Sequence, residues 1–274
     1  MPVGVVPIAR LSILLMNTLI VEDHVILQGV LKRVCSTLFG PAQVVCVADG
    51  ASAIRQLQLQ PFMLLVLDLP LPDVDGFAVA DAAQEIAPDI RIIVVTSHCD
   101  QFTVYRAEKR RVRGFVDNRA VGISDLSEAI AKVAADGVYF SPSFLRLRSA
   151  RVRDSTSFDK ILSDRELSVL ALIAVPFSDR EIGAELRISA ETVEKHRFNI
   201  LRKLELKTTA ELVRFARTHG IALDAEQIRE GPRSREFAWR DDSTSPGLPH
   251  RTKRCRKAGI RLGSPLVSGN SHYT

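Results

Sequence analysis

Residues 62–76 read Phe62-Met63-Leu64-Leu65-Val66-Leu67-Asp68-Leu69-Pro70-Leu71-Pro72-Asp73-Val74-Asp75-Gly76, and this stretch decides the fold. Six apolar residues in succession have the length of a strand buried on both faces, and Pro and Gly mark a loop directly after it. Asp68 then stands at the carboxyl end of a strand, where open α/β sheets place their sites. Upstream, Leu19-Ile20-Val21 forms another short apolar run, followed at once by Glu22 and Asp23. If the two strands are neighbours, three carboxylates converge. Like charges that close do not all stay ionised without a counter-ion. A hard divalent cation such as Mg²⁺ meets that need, so Glu22, Asp23 and Asp68 are the candidate metal ligands.

The pattern continues on both sides of this stretch. Val44–Val47, Ile92–Val95 and Gly114–Val116 are further strand runs, the second ending in Thr96-Ser97. Amphipathic segments with helical spacing lie between them, at Val25–Leu38, Ala51–Leu59, Phe77–Ile86, Phe102–Arg110 and Ser124–Ala135. Five strands alternating with five helices predict a doubly wound parallel sheet over residues 17–136. Residues 1–16 are read as an N-terminal extension. Their only charge is Arg10, and they lack the basic start and small-residue cleavage pattern of a signal peptide. Leu11–Val21 is also too short to span a bilayer. Residues 137–160, with Ser141-Pro142-Ser143 and four arginines, are read as a solvated linker.

With Glu22-Asp23, Asp68, Thr96 and Phe115 in this order, residues 17–136 resemble the receiver domain of bacterial two-component response regulators, a (βα)5 fold. The resemblance implies that Asp68 accepts a phosphoryl group from a sensor histidine kinase. It implies that Glu22, Asp23 and Asp68 hold Mg²⁺, that Thr96 bonds the phosphoryl oxygen, and that Phe115 is the aromatic that changes rotamer on activation. One position departs from the family. Three residues after the switch aromatic, where the family carries a lysine, this chain has Asn118. Asn donates a hydrogen bond but carries no charge. The neighbouring Arg119 is expected to point to the opposite face of the strand. Two readings therefore stand: an ordinary phospho-switch, and a degenerate receiver regulated by protein contact without phosphorylation.

Residues 161–221 change character. Ser163-Asp164-Arg165-Glu166, Ser178-Asp179-Arg180-Glu181 and Thr208-Thr209-Ala210-Glu211 read as capping boxes that open helices, and Ser189 reads as a plain hydroxyl cap. Only Arg187-Ile188-Ser189 separates the second helix from the third, which is helix-turn-helix spacing. Along Ala190–Leu204, at about 100° per residue, Val193, Ile200, Leu201 and Leu204 share a core face. Opposite them stand Glu191, Lys195, Phe198 and Arg202, flanked by Thr192 and Asn199. A face mixing Lys, Arg, Asn and Thr with one aromatic suits base edges and phosphates, and Phe198 suits a thymine methyl.

This segment resembles the LuxR-type helix-turn-helix of NarL/FixJ response regulators, through Leu162–Glu166, Ser178–Ile182, Ile188-Ser189 with Thr192-Val193, and Asn199–Leu204. The resemblance implies DNA contacts from Thr192, Glu194, Lys195, His196, Phe198, Asn199, Arg202 and Lys203. It also implies a core acid, Glu166, paired with a base for which Arg197 is the candidate, and a dimerisation helix at Ala210–Ala216. Arg187 stands where the family turn has Gly, and Glu194 where Lys is common; Glu194 suits a cytosine amino group.

Composition fits an α/β domain followed by a small all-α domain. The chain has 274 residues, 46% of them hydrophobic, a length that suggests about two domains. Its net charge of +5 permits a nucleic-acid partner. Cys35, Cys46, Cys99 and Cys255 are scattered, which argues against a zinc site or disulfide framework and fits a reducing cytoplasm. Residues 222–274 are rich in Gly, Pro, Ser and Arg and are read as a disordered basic tail. The expected protein is a cytoplasmic, DNA-binding response regulator that dimerises when active. A phosphotransfer hydrolase with Asp68 as nucleophile is disfavoured. Haloacid-dehalogenase-type enzymes need a second Asp two residues on, and Pro70 stands there.

Overall fold

The computed structural model describes residues 16–175 and 177–221; the expectations for residues 1–15 and 222–274 lie outside them. The strands are β1 (Thr18–Val21), β2 (Val44–Val47), β3 (Leu64–Leu67), β4 (Arg91–Thr96), β5 (Gly114–Asp117) and β6 (Tyr139–Phe140). They form one parallel sheet in the order β2-β1-β3-β4-β5-β6. The helices between them are α1 (Val25–Phe39), α2 (Gly50–Leu59), α3 (Gly76–Ile86), α4 (Gln101–Glu108) and α5 (Ile123–Ala134).

The strand alternation explains the two-sided cover. Leu19, Val21, Leu65, Leu67, Ile92, Val94 and Phe115 join the core that also contains residues of α2, α3 and α4. Their neighbours Ile20, Leu64, Val66, Ile93, Val95 and Val116 join the core shared with α1 and α5. Successive side chains of a strand point to opposite faces, so an uninterrupted apolar run is what a doubly covered strand requires.

The segment expected to be a linker is structured. Residues Tyr139–Phe140 add a sixth strand, in register with Gly114 and Phe115. A helix, α6 (Pro142–Arg153), follows, then a single turn, α7 (Phe158–Ile161). Pro142 occupies the first turn of α6, where its missing N–H has no intrahelical partner to lose, so it starts the helix instead of breaking the chain. Phe144 is 1% exposed and its ring centre lies 4.9 Å from that of Phe115. Arg151, expected in a solvated charge run, is buried and pairs with Glu108 and Asp159.

The helical domain comprises α8 (Asp164–Ile173), α9 (Asp179–Leu186), α10 (Ala190–Lys203) and α11 (Thr209–Thr218). Ser163 and Ser178 form complete capping boxes with Glu166 and Glu181. The third expected box is half formed. Thr208 Oγ1 accepts from Glu211 N, but Glu211 accepts from Lys207 N, because its carboxylate reaches one residue further back. The turn after α9 ends on Arg187 with φ of 55°, the left-handed conformation that Gly adopts more easily.

Phe144→Ala is expected to destabilise the receiver by about 3–5 kcal/mol, as for other buried aromatics. Urea unfolding measures this. An unchanged midpoint would show that α6 is a passive tether and not part of the core.

Candidate functional site

The chain leaves β1 and turns to β2 on one side, then returns through β3 on the other, so the strand order reverses between β1 and β3. That is where doubly wound sheets open a crevice at their carboxyl ends. Val21 and Leu67 are in register, and Asp68 N donates to Val21 O at 2.9 Å. The residues that follow, Glu22-Asp23 and Asp68, therefore emerge side by side. One carboxylate oxygen from each of the three lies within 4.8 Å of the other two.

Gly76 belongs to this geometry. A Cβ there would stand 2.5 Å from Asp68 O, so only glycine lets the start of α3 pass so close to the strand end. Asp75 caps α3 by accepting from Phe77 N, and its other oxygen accepts from Arg106 Nη2 of α4 at 2.6 Å.

Burial dominates the electrostatics. Glu22 is 0% exposed. Burial first, then repulsion from Asp68, push its carboxyl from the ordinary 4.5 to about 8. Its Oε1 accepts from His24 N at 3.0 Å, while Oε2 is buried without a partner. Asp68 is pushed from 3.8 to about 6, again mainly by burial, against the hydrogen bonds of Thr96 and Leu69 N. Three carboxylates meet here, two of them, Glu22 and Asp68, pushed toward their protonated forms and one, Glu22, with an oxygen left unpartnered, and such a set of hard oxygen donors fits an oxygen-seeking divalent cation. Thr96 is fully buried at the end of β4, with its hydroxyl bonded to Asp68. Asn118 N donates to Thr96 O at 3.0 Å, which ties the ends of β4 and β5 together. Arg119 lies 3.9 Å from Asp117, itself buried at the end of β5. Phe115 is fully buried against Phe144.

On α10 the exposed face matches the expected one in part. Val193 and Ile200 are buried, while Phe198 is 65% exposed. Lys195 is exposed and pairs with Glu191 at 2.8 Å. Arg202 and Glu194 are exposed and Asn199 is half-buried. Two expected DNA contacts are engaged elsewhere. Lys203 Nζ donates to Glu166 at 2.7 Å, and Thr192 Oγ1 lies 2.8 Å from Ser189 Oγ in the helix cap. His196 is half-buried, with burial and Arg165 lowering its pKa. The base that pairs with Glu166 is therefore Lys203, one turn beyond Ile200, and not Arg197, which instead pairs with Asp179. A Cβ on Gly183 would stand 2.7 Å from Ile188 O, so α9 and the turn into α10 meet at backbone distance.

Sequence reasoning missed the junction between the two domains. Phe102 and Tyr105 of α4 are buried in the same cluster as Phe158, Leu162, Leu167 and Ile221. The Tyr105 hydroxyl donates to Asp164. Asp164 also lies 3.7 Å from Lys109. The signal was present: two aromatics on a short helix whose other face was already committed to the sheet.

Comparison with known proteins agrees with this architecture. Residues 18–131 match the response regulator receiver domain, and residues 160–216 match the bacterial regulatory proteins of the luxR family. The Fimbriae Z protein of Salmonella typhimurium is 28% identical over 206 residues, covering 75% of this chain and 98% of the relative. Response regulator protein VraR of Staphylococcus saprophyticus is 29% identical over 209 residues, again 75% and 98%. Among solved structures, RcsB of Salmonella enterica serovar Typhimurium, bound to promoter rprA with the phosphomimetic BeF3−, has the same fold. Its TM-score is 0.55 at 22% identity, covering 74% of this chain and 99% of that one. A receiver sheet with an acidic crevice, followed by a helix-turn-helix domain, defines a DNA-binding response regulator. The chain belongs to the two-component response regulators of NarL/FixJ type, which join a receiver to a LuxR-type helix-turn-helix domain.

Both raised carboxyls bind their protons more tightly folded than unfolded. The stability this gives is present at low pH and is lost as pH rises, between 4.5 and about 8 for Glu22 and between 3.8 and about 6 for Asp68. Millimolar Mg²⁺ is therefore expected to raise the Tm of the full chain, and more at pH 8 than at pH 5.5, because the ligands must be ionised. Asp23→Asn should remove the gain. Thermal melts at the two pH values decide it, and a gain that is equal at both speaks against these ligands.

Proposed function

We propose that a sensor histidine kinase phosphorylates this regulator on Asp68, and that the phosphorylated receiver releases the helix-turn-helix domain to dimerise on DNA in the cytoplasm. The observation that carries this reading is the hydrogen bond between the buried Asp68 and Thr96, at the strand end from which the chain runs directly into α4. In the transfer, an Asp68 carboxylate oxygen attacks the phosphorus and the kinase imidazole leaves. Glu22, Asp23 and Asp68 would hold Mg²⁺, which when bound offsets the charge of the transferring group. The new oxygens compete for the Thr96 hydroxyl. Thr96 moving toward them leaves room for the buried Phe115 ring to change rotamer against Phe144, and the loop into α4 follows.

Helix α4 is the element that conveys the change. Asp100 caps it, Arg106 anchors it to Asp75 beside the acidic crevice, and Tyr105 bonds Asp164 at the start of α8. A Cβ on Gly220, at the end of α11, would collide with the Asp100 carboxyl, so the effector's last turn also rests on the α4 cap. In this arrangement Lys195 and Phe198 remain exposed, while the end of α11 is docked. Receiver docking therefore restrains the helix the family uses for dimerisation more than it covers the reading face. Active dimers would set two α10 helices about one turn of DNA apart on a near-palindromic site. Asn118 favours a second reading, a receiver governed by protein contact through the same α4 junction, without phosphate.

No helix among the described residues is long and apolar enough to cross a membrane. The family is one of DNA-binding regulators, which leaves no place for the hydrolase reading.

Tyr105→Phe removes a hydrogen bond to a charged partner, worth about 1.5–3 kcal/mol at most, from the docked form. It should raise the DNA affinity of the unphosphorylated full chain toward that of the isolated helical domain. Electrophoretic titration measures it, and unchanged affinity would sink the α4 route. Lys195→Ala and Phe198→Ala should each weaken specific binding by about 1–3 kcal/mol if they read bases. Lys203→Ala should instead lower the melting temperature of the helical domain, because its ammonium is the partner of the buried Glu166.

A further inference from the structure

A phosphoryl group on Asp68 brings about one and a half to two negative charges into a crevice that is already acidic. The family's lysine is absent, and Asn118 offers only a neutral donor. Other cations around the sheet's carboxyl edge have their own carboxylates: Arg119 is beside Asp117, Arg106 bonds Asp75, and Arg110 bonds Asp81.

His98 is placed differently. It sits on the loop between β4 and α4, two residues past Thr96, with its ring exposed. Its backbone N–H donates to Thr96 Oγ1 at 3.2 Å, and that same hydroxyl is the one bonded to Asp68. Movement of the switch hydroxyl therefore draws His98 with it. Ser97 Oγ lies 3.3 Å from His98 Nδ1. In the charged imidazolium both ring nitrogens donate, Nδ1 to Ser97 Oγ and Nε2 to a group outside the loop. Among the groups that set the Asp68 carboxyl, His98 is the one that lowers it by charge.

We propose that His98 is a phosphoryl-binding residue of this receiver, its imidazole donating to the phosphoryl oxygens in the role that the missing lysine fills elsewhere in the family. The inference rests on Asp68 being the phosphoacceptor. Donation from Nε2 holds the charge at the site, and the backbone bond to Thr96 couples that contact to the switch. Lysine reaches such a site from β5, so moving the donor to the β4–α4 loop ties charge compensation to the loop that leads into α4.

The test is a titration of the full chain with beryllofluoride in the presence of Mg²⁺, together with intact-mass detection of phosphoryl on Asp68 after acetyl phosphate treatment. His98→Ala keeps the backbone N–H and so keeps the Thr96 bond, removing only the ring. It should weaken beryllofluoride binding about tenfold, the loss expected for one charge-assisted donor. His98→Ala combined with Asn118→Lys should restore it, and Arg119→Ala alone should leave it unchanged. Equal affinity in wild type and His98→Ala, or a loss that Asn118→Lys leaves unrepaired, overturns the role of His98. A wild-type chain that binds no beryllofluoride and takes no phosphoryl group overturns both this inference and the reading beneath it.

Discussion

The structure depends on the burial of two carboxylates at adjoining strand ends. Asp68 and Glu22 are placed together by the β1–β3 register and are withdrawn from water by the helices around them. Burial alone raises both carboxyls, and their mutual repulsion adds to it for Glu22. Such a crevice is stable only with protons, a cation or compensating donors. Each of those is a handle by which phosphorylation can act. The surrounding features follow from it: glycine at Gly76 where α3 must pass close, the Thr96 hydroxyl turned inward, and backbone donors at Leu69 and His24.

The same constraint sets the route outward. Arg106 is buried between Asp75 and the ring of Phe77, so α4 is held against the loop that follows Asp68. On its other side α4 presents Phe102 and Tyr105 to the helical domain. One helix thus belongs to two cores. In the proposed mechanism a small change at the crevice would reach the effector through these packed groups, because interfaces of this kind have discrete arrangements and not a continuous range. Arg151 strengthens the junction by joining Glu108 at the end of α4 to Asp159 before α8.

The sheet and the crevice were legible in the sequence because both arise locally. Uninterrupted apolar runs specify doubly covered strands, and a carboxylate directly after such a run can only lie at a strand end. Ser163, Ser178 and Ser189 announced their helices for the same local reason. The illegible parts are those set by distant partners. Nothing near Arg197 distinguishes Asp179 from Glu166 as its mate. The two residues of β6 are too few to show a period, and Pro142 signals a stop and a helix start equally well. Tyr105 and Asp164 lie 59 residues apart. Asn118 was visible as a departure, but the relation of His98 to Thr96 needed the loop geometry.

The central claim is that the state of Asp68 is conveyed through α4 to the helical domain. Hydrogen exchange on the full chain, with and without beryllofluoride and Mg²⁺, tests it most directly. The account predicts faster exchange in residues 101–108, 158–166 and 216–221 when beryllofluoride is bound, with the β1 and β3 amides unchanged, and no response in Asp68→Asn. Protection that stays the same in α4 and α8 while beryllofluoride occupies the crevice would contradict it.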